Sequence, residues 1–97
     1  MALISPWGVF AIDSDSYKRN AYKDTVSGLH LEQYAKYFMG DAKIDAYNQP
    51  FTAEKDWWKG IEKVATDIVI TGGTEEVLID GIKEFSDKLK VLTLWNN

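Results

Sequence analysis

Apolar side chains recur with helical spacing in two stretches of the chain. The first stripe consists of Leu31, Tyr34, Ala35 and Phe38. The second consists of Leu78, Ile82, Phe85 and Leu89. Spacings of three and four residues place such side chains on one face of an α-helix. Ser27 is a suitable N-cap for the first helix, and Gly40 is a suitable terminator.

Three short apolar runs have the composition of β-strands. They are residues 2–5, 67–71 and 91–95. The central run, Asp67-Ile-Val-Ile-Thr71, suits a strand that is covered on both faces, as in a parallel sheet. The elements follow the order strand, long excursion, strand, helix, strand. This order predicts parallel pairing through right-handed crossovers. We therefore predict an α/β fold with a small three-stranded, mostly parallel sheet and two or three helices.

The connecting segments are polar and rich in turn-forming residues. Residues 13–28 and 41–52 predict two surface loops. Thr52 is a plausible N-cap for a short helix that ends near Gly60. Gly72-Gly73-Thr74 predicts a tight turn between the central strand and the last helix. The aspartates of the first loop have no metal-ligand spacing, so we predict solvated carboxylates and no metal site; they are Asp13, Asp15 and Asp24.

Length and composition restrict the chain to one domain and few classes of function. The 97 residues suit a single domain, residues 1–97, with one modest core. A net charge of −4 argues against nucleic-acid binding. No apolar run approaches the roughly 18 residues of a membrane span. There is no cysteine, hence no thiolate nucleophile. We expect a soluble, cytoplasmic protein without a cofactor.

Several segments resemble one family. Leu3-Ile-Ser-Pro-Trp7 resembles the strand and loop after the nucleophile elbow in α/β-hydrolases of the hormone-sensitive-lipase-like branch, especially fungal esterases and lipases. Asp56-Trp-Trp-Lys-Gly60 resembles the segment before that family's next strand. Residues 67–80 resemble the strand and acid loop, and residues 82–90 the next helix. The resemblance implies a partial α/β-hydrolase fold and a truncated, carboxylesterase- or lipase-like homologue.

The resemblance also implies a position for the acid of a catalytic triad. In that family the triad follows the chain order serine, acid, histidine. The match places the acid at Glu76, directly before Val77-Leu-Ile-Asp80, or at Glu75 if the loop slips by one residue. Asp80 matches a recurrent aspartate of the motif that is not the triad acid. The acid would accept a hydrogen bond from the imidazole and stabilise the imidazolium.

Three tryptophans are candidates for lining an acyl pocket: Trp7, Trp57 and Trp58. On a helix, Trp57 and Trp58 would point about 100° apart. We therefore expect one of the two to pack inward and the other to lie at a rim.

The other members of a triad are not found in this sequence. It contains no Gly-x-Ser-x-Gly elbow and no His-Gly-Gly oxyanion segment. The family's histidine comes after the strand that residues 91–95 would form. The one histidine of this sequence, His30, lies three residues after Ser27, and a helix cap explains this pair. We therefore predict neither a nucleophile nor a base within residues 1–97.

Three hypotheses follow. The chain is a truncated hydrolase homologue that does not hydrolyse esters on its own. Alternatively, it is a small interaction module that forms a homo-oligomer or docks on another protein chain, because a small parallel sheet has two edges and uncovered faces. In the third, it is one half of a split hydrolase, whose serine and histidine come from a separate chain.

Overall fold

The computed structural model describes the backbone of residues 1–94 and the side chains of residues 1–90. Its elements in chain order are β1 (Ala2–Ile4), α1 (Ser16–Arg19), α2 (Gly28–Met39), α3 (Ile61–Val64), β2 (Val69–Thr71) and α4 (Ile79–Leu94). Two 3₁₀ helices, Pro50–Thr52 and Lys55–Trp58, lie between α2 and α3. The predicted mixture of helices and a small sheet is confirmed. Within the described residues, no helix is long and apolar enough to cross a membrane.

β1 and β2 pair in parallel, as predicted, with Leu3 opposite Ile70. The described residues contain two strands and not the three that were predicted. The third was expected at residues 91–95, but α4 continues through Leu94, and Trp95 lies outside the described residues. No glycine or proline follows Gly81. Since each added residue extends a formed helix at little cost, this apolar run continues α4.

One face of the sheet is open to solvent in the described part of the chain. Ile4 is 81% exposed and Val69 is 56% exposed, and both side chains lie on this face. Leu3 and Ile70, on the opposite face, are half-buried. The expectation that residues 67–71 are covered on both faces is therefore wrong for the chain as described.

The core forms mainly along α4. Ile82, Phe85 and Leu89 of the predicted stripe are each no more than 5% exposed. The ring of Phe51 stacks on Phe85 at 4.2 Å between centroids, and Trp58 meets the same ring at 5.1 Å. Both 3₁₀ helices are thus held to α4 by aromatic contacts, which provide much of the buried apolar area of a small domain.

The ends of α2 are set as the sequence predicts. The Ser27 hydroxyl accepts a hydrogen bond from the backbone N–H of His30 at 3.2 Å. At the other end Gly40 has a φ of 54°, a conformation that favours glycine. The N–H of Gly40 donates to the carbonyl of Lys36.

Only half of the predicted α2 stripe is buried. Leu31 and Ala35 face the core, whereas Tyr34 is 58% exposed and Phe38 is 66% exposed. Phe38 still touches Phe10 edge-to-face at 5.6 Å. The apolar periodicity predicted the helix correctly, but it predicted a larger buried face than the helix has.

The loops contain more structure than predicted. Residues 13–28 include the one-turn helix α1. Thr52 is not an N-cap, because its hydroxyl donates to the carbonyl of Gln49 at 2.7 Å within the first 3₁₀ helix. The second 3₁₀ helix begins after Glu54 and ends at Trp58, close to the predicted end near Gly60.

Gly8 provides a test of the packing between the N-terminal segment and the core. It is buried, and a Cβ at this position would lie 2.3 Å from Cδ1 of Phe51. Since Phe51 is itself stacked on Phe85, the ring has little freedom to move away. We expect Gly8→Ala to lower the free energy of unfolding by about 1–3 kcal/mol in urea denaturation.

The matched control is Gly81→Ala, which also adds one methyl group. A Cβ at Gly81 would meet Val9 at 3.6 Å, an ordinary contact. Because Gly81 lies in α4, alanine should raise the stability by up to about 1 kcal/mol. Equal stability of Gly8→Ala and the wild type would contradict the close packing against Phe51.

Candidate functional site

The acid loop, residues 72–78, connects β2 to α4. Gly72 and Gly73 leave the strand, and the N–H of Glu76 donates to the carbonyl of Gly73 at 3.1 Å. This is the tight turn that the sequence predicts. A Cβ at Gly73 would lie 3.3 Å from Cγ of Glu76. The Glu76 side chain therefore lies back against Gly72 and Gly73 of the same turn.

The carboxylate of Glu76 is held by two donors from different parts of the chain. Its Oε2 accepts a hydrogen bond from the Ser5 hydroxyl at 3.0 Å and another from the backbone N–H of Gly73. Both hydrogen bonds found within residues 1–90 reach the same oxygen. The Glu75 side chain is exposed, and none of the described hydrogen bonds involves it. The two glutamates thus differ in their hydrogen bonds, and a catalytic role for either stays a prediction.

Ser5 has an unusual backbone. It is the one described non-glycine residue with a positive φ, 48°. A left-handed conformation costs an L-residue about 1–2 kcal/mol. A hydrogen bond to a charged group contributes about 1.5–3 kcal/mol. The bond from Ser5 to Glu76 is therefore large enough to offset the backbone cost.

Polar side chains of residues 16–24, here called the clamp, hold the other side of the acid loop. The Asn20 amide is 1% exposed and donates to the carbonyls of Thr74 and Glu76 at 3.1 and 2.8 Å. Asp24 accepts a hydrogen bond from the N–H of Val77 at 2.8 Å. The prediction that Asp24 is a solvated carboxylate is therefore wrong. Its carboxylate instead accepts a hydrogen bond from a backbone N–H of the acid loop.

Ser16 ties the clamp to the start of α4. Its side chain is fully buried, and its hydroxyl donates to the carbonyl of Val77 at 2.6 Å. The same hydroxyl accepts a hydrogen bond from the N–H of Asp80 at 3.3 Å. Ser16, Asn20 and Asp24 are spaced four residues apart. That regular spacing is the sequence signal that could have distinguished this segment from a surface loop.

Asp80 joins α4 to the clamp by charge. Its Oδ1 lies 2.8 Å from Nη2 of Arg19, and its Oδ2 accepts a hydrogen bond from the N–H of Ser16 at 2.9 Å. The hydrogen bond from Arg19 lowers the pKa of the Asp80 carboxyl; partial burial opposes this effect, and the Ser16 N–H adds to it. In this structure Asp80 has a structural role.

The three candidate tryptophans occupy different environments. Trp58 packs on Phe85, whereas Trp57 is 46% exposed and meets Tyr47 edge-to-face. The prediction that one of the pair packs inward is confirmed. Trp7 lines a small cleft together with Phe51. Whether any of the three lines an acyl pocket stays a prediction.

His30 and Ser27 form the helix cap and nothing more among the described contacts. The backbone N–H of His30, not its ring, makes the hydrogen bond. No imidazole paired with a hydroxyl group is thus found among the described hydrogen bonds of residues 1–90.

A family model described as steryl acetyl hydrolase matches residues 1–96. The chain belongs to the steryl acetyl hydrolase family. No curated protein and no solved structure matches it. The expected relationship to hydrolases is therefore confirmed at the level of this family, which the chain matches over nearly its whole length.

Asn20 tests whether the clamp supports the acid loop. Asn20→Asp would replace the amide donor with a carboxylate that faces two carbonyl oxygens. Unpaired buried acceptors and a buried charge are both costly, so we expect a loss of at least about 2 kcal/mol in the free energy of unfolding at pH 7. Chemical denaturation followed by tryptophan fluorescence measures it.

Asn48→Asp is the matched control for this substitution. The Asn48 amide also donates to a carbonyl, that of Lys43 at 2.9 Å, but in an exposed loop. We expect this variant to lose less than about 1 kcal/mol, since water replaces the lost donor. Similar losses in the two variants would show that the clamp contributes no more than a surface turn.

Proposed function

We propose that this chain provides the acid of a serine–histidine–acid triad in a carboxylic ester hydrolase of the α/β-hydrolase type, with Glu76 as that acid. The observation that carries the proposal is the Glu76 carboxylate, held by Ser5 and Gly73 where the two parallel strands end. Open α/β sheets bind their ligands at the carboxyl ends of the strands. Membership of the steryl acetyl hydrolase family supports the same chemistry.

The proposed reaction is acyl transfer from an ester to water. A serine attacks the ester carbonyl while a histidine accepts the serine proton, and the acid orients and stabilises the resulting imidazolium. Oε2 of Glu76 already accepts two hydrogen bonds, so Oε1 is the oxygen proposed to accept the imidazole N–H. The family description suggests a steryl acetate as the substrate, which would yield a sterol and acetate.

Residues 1–97 cannot complete this triad. They contain no Gly-x-Ser-x-Gly, and their single histidine is His30 at the start of α2. The proposal therefore requires a serine and a histidine from outside these residues, either from flanking sequence or from another chain. Alone, residues 1–97 are proposed to lack esterase activity, since an acid without its imidazole has nothing to orient.

The triad role is tested by expressing the chain together with its flanking coding sequence and assaying p-nitrophenyl acetate and a steryl acetate. We expect hydrolysis only where a serine elbow and a downstream histidine are present. Glu76→Gln should lower kcat by about 10²- to 10⁴-fold, because the histidine loses its orienting acceptor. Glu75→Gln is the matched control and should change kcat by less than about threefold.

Each other outcome has a clear meaning. A loss of activity in Glu75→Gln and not in Glu76→Gln would show that Glu75, and not Glu76, is the acid. Flanking sequence that lacks both a serine elbow and a histidine would contradict a triad within one polypeptide. Ester turnover by residues 1–97 alone that Glu76→Ala abolishes would contradict the proposed lack of independent activity.

A second candidate function is docking on another copy or another protein. The open sheet face, with Ile4 81% exposed and Val69 56% exposed, favours it. Burial of such a face against a partner would remove apolar area from water. Light scattering at high concentration tests self-association. We expect oligomers that Ile4→Lys dissociates, whereas a monodisperse monomer would count against self-association.

A further inference from the structure

Ser5 follows β1 in a conformation that serine rarely adopts. Its φ is 48°, in the left-handed region where glycine alone has no steric penalty. Such strain persists in folded proteins where the surrounding contacts determine the conformation, and it is concentrated at functional sites. The contacts of Ser5 should therefore be those that stabilise this strained conformation.

Two contacts of Ser5 join separate parts of the fold. Its backbone N–H donates to the carbonyl of Thr71 at 2.8 Å, which extends the β1–β2 ladder by one bond. Its hydroxyl donates to Oε2 of Glu76 at 3.0 Å, across 71 residues of sequence. The backbone of Ser5 is thus fixed to the sheet while its side chain reaches the acid loop.

A glutamate with one hydrogen bond would keep most of its rotational freedom. The last torsion of a glutamate side chain has a broad energy minimum, so a single donor does not define the carboxylate plane well. Here Gly73 donates from the turn after β2 and Ser5 donates from the end of β1, and both reach Oε2. Two donors anchored on different strands define where that oxygen lies, and thereby where Oε1 lies.

We infer that Ser5 is a positioning residue for the carboxylate of Glu76. Its hydroxyl holds Oε2 against the end of β1 and leaves Oε1 to accept a hydrogen bond from the imidazole. The identity of that partner rests on the proposed function, whereas the positioning of the carboxylate does not. Glycine would fit this backbone conformation equally well, but it has no side-chain donor for the carboxylate. The hydroxyl is therefore the property of Ser5 on which the positioning depends.

The substitution Ser5→Gly separates the hydroxyl from the backbone strain. Glycine adopts a positive φ freely, so the folded chain should be retained, while the donor to Glu76 is lost. The readout is the Gly73 amide in NMR spectra of the full chain, because that N–H shares Oε2 with Ser5. We expect its hydrogen exchange to become about tenfold faster, as the acceptor becomes less well fixed. We also expect its proton resonance to move.

Two further variants complete the experiment. Ser5→Ala also lacks the hydroxyl but keeps the strained backbone, so it should affect Gly73 equally and be less stable than Ser5→Gly. Ser27→Gly removes a serine hydroxyl from the cap of α2 and should leave the Gly73 amide unchanged. A Gly73 amide that is the same in Ser5→Gly and in the wild type would overturn the inference and leave Ser5 as a turn residue.

The esterase assay adds an independent arm. In the active polypeptide, Ser5→Gly should lower kcat about tenfold and leave KM within about twofold, because the carboxylate acts in the chemical step. Loss of activity in Glu76→Gln without any loss in Ser5→Gly would overturn the positioning role. Full activity in Glu76→Gln would instead contradict the proposed function, and the NMR result on Ser5 would still stand.

Discussion

A backbone that leaves a strand and enters a helix within a few residues has N–H and C=O groups without ladder partners. Buried groups of this kind must find hydrogen bonds elsewhere. In this chain the partners are side chains of the clamp, namely Ser16, Asn20 and Asp24. The position of Glu76 depends on them, since Asn20 bonds the carbonyl of Glu76 itself. The candidate site thus rests on a polar interior as much as on the apolar core.

This arrangement ties the acid loop to distant sequence. The hydrogen bonds from Asn20 to the loop span 54 and 56 residues, and that from Asp24 spans 53. Neither segment has enough local contacts to hold its shape alone, because α1 has one turn and an isolated turn of helix is unstable in water. The clamp and the acid loop are therefore expected to become ordered together, when residues 16–24 meet the start of α4.

Local signals and long-range contacts explain which features could be predicted. The helices α2 and α4 follow from apolar periodicity and caps, both of which are local. Glu76 became the candidate acid through resemblance, because a short motif contains the loop and the start of the next helix. Ser5 could not be found in this way, since no neighbouring residue indicates a positive φ and its partner lies 71 residues away. The strand predicted at 91–95 is not seen at residues 91–94, where the backbone continues α4, because a formed helix extends at little cost and local composition does not mark its end.

The two long polar segments, which look alike in sequence, should tolerate changes of length very differently. In residues 41–48 the Asp45 side chain accepts hydrogen bonds only from the N–H groups of Tyr47 and Asn48, so an inserted residue before Asp45 would disturb only this local turn. In residues 13–28 an insertion between Ser16 and Asp24 would shift side chains that must each meet a particular group of the acid loop. Loop length is therefore freer to vary in residues 41–48 than between Ser16 and Asp24.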